Sequence, residues 1–66
     1  MASEREGLSN LAYDVLMSGF RESDRTFFES GRYRFYMSML NDLQQMMVIA
    51  KLRMLRRKVD WKIPPY

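Results

Sequence analysis

Sixty-six residues make one small domain at most, and a chain of that size hides only about 60% of the surface its unfolded form exposes. It contains no Cys and no His. That excludes disulfides, thiolate or imidazole metal sites, and nucleophiles that work through a Ser–His or Cys–His pair. Eleven basic residues against eight acidic ones leave +3, too mild to announce a nucleic-acid protein, while 47% apolar and aromatic residues argue against disorder.

The chain opens Met-Ala-Ser-Glu-Arg-Glu, charged at once and without the apolar run of a signal peptide. Ser3-x-x-Glu6 reads as a capping box that starts a helix over about 4–19. At 100° per residue, Leu8, Leu11, Ala12, Val15 and Gly19 share one face, and Leu16 and Phe20 widen it. Ser18-Gly19 reads as the stop, and 20–24 as the connecting turn. Ser23, Asp24 and Thr26 can each cap the next helix, Thr26 with Glu29 as a second capping box.

A second helix is expected over about 25–59. Ser30-Gly31 is its weak point, where it could kink or divide. Tyr36, Leu40, Leu43, Met47, Ala50 and Met54 are spaced 4, 3, 4, 3, 4, an unbroken heptad seam. Val48, Leu52, Leu55 and Val59 form another stripe, roughly 120° away on the helical wheel. A helix needs a neighbour for each apolar face. The longest unbroken apolar run, Met46 to Ala50, is five residues, against the roughly 20 that cross a bilayer. The tail, 60–66, holds Trp61 and ends Ile-Pro-Pro-Tyr; it cannot continue the helix and is expected to be extended. It either docks on a partner or folds back.

Residues 32–59 as one helix would span about 42 Å, and 4–19 about 24 Å. The expected fold is therefore all-α: an antiparallel helical hairpin with a short first and a long second helix, forming a single domain over 1–66. The hairpin cannot cover the overhang from Met47 to Val59, where about seven large apolar side chains would forfeit on the order of 10 kcal/mol. A second copy could cover it, giving a homodimer of four-helix type. The residues expected to self-associate are the ten of the two stripes.

Three surfaces are candidates for other partners. Met17, Phe27, Phe35 and Met37 lie off the seam and, with Trp61 on the tail, are candidate contacts for a heterologous protein. Aromatics interleaved with Arg32 and Arg34 could stack on bases, or cap the end of the bundle. The cations Lys51, Arg53, Arg56, Arg57 and Lys58 could track phosphates or meet an acidic partner, simply suit the negative helix end, or lie with the amphipathic stretch 46–58 on a membrane surface. No phosphate loop, calcium loop or Glu-x-x-His pair occurs, so no cofactor, metal or catalytic residue is expected, and no enzymatic activity. The absence of an apolar span makes a membrane partner unexpected and a cytoplasmic location the default.

Leu40-x-x-Leu43-x-x-Met46-Met47-Val48, with Trp61 beyond, resembles over a quarter of the chain the long helix of the small phycobilisome-degradation adaptors, which are hairpin dimers. By size and build the chain is similar to tiny helical proteins with which phages occupy host enzymes or regulators. The resulting expectation is a protein-binding module, an adaptor or inhibitor that occludes a partner's surface. A nucleic-acid-binding dimer and a structural subunit of a larger assembly are the alternatives.

Overall fold

A computed structural model describes residues 4–65, and the side chains of residues 7–65. The described residues form four helices: α1 (Glu4–Glu22), α2 (Arg25–Glu29), α3 (Arg32–Met37) and α4 (Asp42–Lys58). No strand occurs among the described residues, so the all-α class holds. The Ser3–Glu6 capping box lies outside the described side chains.

Helix α1 does not stop at Gly19. It runs three residues further and closes with the Asp24 amide donating to the Gly19 carbonyl (3.0 Å) and the Ser23 amide to that of Phe20 (3.3 Å). This is a Schellman closure, with Ser23 in the left-handed position at φ 52°. Gly19 serves packing instead. A Cβ there would sit 3.0 Å from Phe27 Cδ2 and 3.5 Å from Phe28 Cε2, so the missing side chain is what lets α2 approach α1. The buried face of α1 is accordingly Ser9, Ala12, Leu16 and Gly19, while Leu8 and Leu11, read from the sequence as sharing a face with Ala12 and Gly19, stand in solvent.

Asp24, among the three possible caps, accepts from the Phe27 amide (3.1 Å) and starts α2. The break at Ser30-Gly31 occurs, with Gly31 left-handed at φ 81°. A second break falls at 38–41, so the long second helix does not exist. Asn41 accepts from the Gln44 amide (2.8 Å), and Gln44 Oε1 accepts from the Asn41 amide (3.3 Å): a reciprocal capping box that starts α4.

The second break corrects the hairpin. The Asn10 Oδ1–Gln44 Nε2 hydrogen bond (3.1 Å) puts the start of α4 beside the first half of α1, and Phe20 lies beside Lys51 and Leu55. Helices α1 and α4 therefore run side by side in the same direction, and α2–α3 is the returning leg. The physical reason is burial. A straight rod would carry Val48 and Leu52 out of reach of α1. Folding at 38–41 brings both into one core with Leu16, Phe28, Tyr33 and Met37, each worth about 1.5–3 kcal/mol when fully buried, and the new caps replace the helical hydrogen bonds given up. At 19 and 17 residues α1 and α4 match in length, so the expected overhang is gone.

Phe28 is the hub of this core. Its ring lies 4.9 Å from Phe20, 5.2 Å from Phe27, 5.9 Å from Tyr33 and 6.4 Å from Trp61. The tail folds back. Trp61 stacks on Phe28, Ile63 packs against the core, and the Tyr33 hydroxyl donates to the Pro64 carbonyl. That carbonyl also accepts from Arg56 Nη2 (2.9 Å).

Candidate interaction surface

Helix α4 carries two apolar stripes, and the fold uses one. Val48 and Leu52 are buried in the core, Leu55 packs half-buried against it, and Val59 is half-buried. Of these four, expected to self-associate, Val48 and Leu52 are taken up by the chain's own core, while Leu55 keeps part of its surface on an open groove. Of the heptad seam, Tyr36 precedes the break, Leu40 lies within it, and both pack against the core. What remains is a stripe on α4 alone: Leu43, Met47, Ala50 and Met54, with Met46 at its edge.

That stripe is strongly exposed. Leu43 and Met46 are each 68% accessible, Met47 46% and Met54 71%. Scaled by those fractions, burial that is worth about 1.5–3 kcal/mol per side chain leaves about 4–8 kcal/mol unrealised on one helix face. Scattered exposed leucines need no explanation; a row along one face of a single helix is a contact surface in want of a contact.

Beside the stripe, where the end of α1 meets α4, lies an open groove of about 500 Å³ lined by Phe20, Lys51, Met54, Leu55, Arg57 and Lys58. Its lining combines three apolar side chains with three cations. The candidate nucleic-acid residues do not form one track. Lys51, Arg57 and Lys58 line the groove beside the stripe, whereas Arg53 and Arg56 line a smaller groove with Ile49 and Leu52. Arg56 is also engaged with the tail.

The candidate contacts for a heterologous protein are mostly spent inside. Met37 is completely buried and cannot reach a partner. Met17, Phe27 and Trp61 are half-buried against the core, because the rings after the turn gather around Phe28. Phe35 alone of the five is exposed, at 63%, edge-on to Tyr36 (5.4 Å).

One electrostatic contact ties the tail down. Glu29 Oε2 accepts from the Lys62 amide (3.0 Å), and Glu29 Oε1 pairs with Arg25 Nε (3.1 Å). The Lys62 hydrogen bond first, and Arg25 second, hold the Glu29 carboxyl below its ordinary value of 4.5. Among the described residues no cluster of three metal-ligating side chains occurs. No described helix is long and apolar enough to cross a membrane. No family model, no curated protein and no solved structure matches this chain.

Proposed function

We propose that the chain is a non-enzymatic protein-binding module, an adaptor or inhibitor that covers a partner's surface, and that it self-associates. The observation that carries this reading is the uncovered stripe of α4. A helix laid by its apolar face against another helix or a groove is a recurrent mode of protein recognition, read as anchors at i, i+4, i+7 and i+11; Leu43, Met47, Ala50 and Met54 have that spacing. Methionine suits such a surface, because its unbranched thioether adapts to the shape it meets.

The alternatives have less behind them. A nucleic-acid reading needs a continuous cationic track, and the cations of α4 are divided between two grooves. A structural subunit whose tail threads a neighbour needs a free tail, and this one is tied by Glu29, Tyr33 and Arg56. The test is retention of protein from nuclease-treated lysate on the immobilised chain, compared with Leu43→Glu/Met54→Glu. Both changes are on the surface and leave the core untouched. The expected result is a stoichiometric protein, a target or further copies of the chain, held by the wild type and lost by the variant. Equal retention by both, or salt-sensitive binding of random nucleic acid in its place, refutes the reading.

A further inference from the structure

We infer that the stripe of α4 is covered by a second copy of this chain lying antiparallel to the first, with the twofold axis of the pair passing between Val48 and Ile49. This rests on the protein-binding reading above and names the partner.

The first ground is the symmetry of the stripe. Leu43 and Met54 lie equally far from its midpoint, and so do Met47 and Ala50. Turned end for end, a second copy sets Met54 against Leu43 and Ala50 against Met47. Every layer of the seam then combines different residues, large against small at the centre. A parallel pair instead stacks Met47 on Met47 and Ala50 on Ala50, one overfull layer next to one nearly empty one, which close packing penalises. A twofold contact also requires one patch to complement itself, and this patch does.

The second ground is charge. All five cations of α4 lie between Lys51 and Lys58, and its only acid, Asp42, is at the other end. In a parallel pair the two cationic ends coincide, and Arg53 of one copy approaches Lys58 of the other across the seam. In the antiparallel pair the cationic ends separate, and each lies beside the other copy's Asp42 end. Lys51 then faces Gln44, and Arg53 faces Met46. The helix dipoles run in opposition, which favours the same arrangement.

The chain has no cysteine, so introduced thiols report the register without background. The exposed positions Leu43 and Met54 are changed separately, as Leu43→Cys and Met54→Cys. Light scattering of the wild type at about 50 µM is expected to give twice the 8.0 kDa chain mass. On mild oxidation an equimolar mixture of the two variants is expected to cross-link mainly as the mixed species, at least about tenfold faster than either variant alone, since only the mixed pair brings thiols within disulfide reach. Leu43→Cys cross-linking alone as fast as the mixture means a parallel pair and overturns the inference. So does equal slow cross-linking of all samples, which means another face. A wild-type monomer at that concentration also overturns it. If the Leu43→Glu/Met54→Glu variant still loses a foreign protein in that case, the binding role stands and only the second copy falls.

Discussion

Removing the ring at the hub should undo the protein. Phe28 is completely buried, touches rings from α1, α2, α3 and the tail, and has no solvent side on which a cavity could relax. Phe28→Ala should therefore lie at the full cost of such a truncation, about 3–5 kcal/mol. At about 0.05–0.15 kcal/mol per residue the whole chain has about 3–10 kcal/mol to lose. The Ala variant is expected to be largely unfolded at 25 °C, and Phe28→Leu, which keeps most of the apolar volume but loses the ring contacts, to be destabilised by less than the Ala variant. The assay is urea unfolding at fixed protein concentration, monitored by far-ultraviolet circular dichroism and by Trp61 emission. The single tryptophan stacks on Phe28, so helix loss and red-shifted emission should coincide. An Ala variant that unfolds cooperatively with a loss below about 1 kcal/mol would show that the tail and α2–α3 do not converge on this ring.

Three further outcomes are expected. Asn41→Ala removes the side chain that caps α4 and should cost about 1 kcal/mol, read as a lower urea midpoint with unchanged slope; no change would mean that the capping box does not start α4. Gly19→Ala and Gly7→Ala should part in sign. Alanine at Gly7 meets nothing within 4 Å and should gain up to about 1 kcal/mol of helix preference. At Gly19 it must displace a Phe27 ring held between Phe28 and Tyr36, and should lose about 1–2 kcal/mol net. Equal shifts in thermal midpoint for the two would refute the close approach of α2. The tail contact should be acid-sensitive. The Glu29 carboxyl is depressed in the folded state, so its contribution is fully present above its ordinary value of 4.5 and is lost as pH falls through the lower folded value. Trp61 emission should report loosening below pH 4.5 in the wild type and no such step in Glu29→Gln; an identical acid step in both would assign it to other carboxyls.

The sites at which helices start and stop are partly legible in the residues themselves. Asp24 caps where a short polar side chain precedes aromatic residues, and Gly31 turns the chain where a glycine interrupts a helical pattern. Asn41-x-x-Gln44 carries the same kind of signal but is masked by the heptad seam running through it. The seam is a real periodicity, but its period says only which residues share a face of whatever helix exists, not that one helix joins them. Phe35 and Met37 show the same limit on the surface. Both lie off the seam; one is exposed and the other completely buried, because their fates depend on which side of a six-residue helix meets α1.

From the order of its residues alone, this chain is helical, without cysteine or histidine chemistry, and carries more apolar faces than two helices can hide in each other. Those properties are local or compositional, and come from period, capping and residue type. Tertiary structure decided which of the two stripes on α4 faces inward. That choice depends on reversal at 38–41, which sets α4 alongside α1 and brings Val48 and Leu52 onto Leu16 and Phe28, leaving Leu43, Met47 and Met54 on the outside. Either stripe satisfies the same helical period, so only the volume and shape of the neighbouring helices could tell them apart.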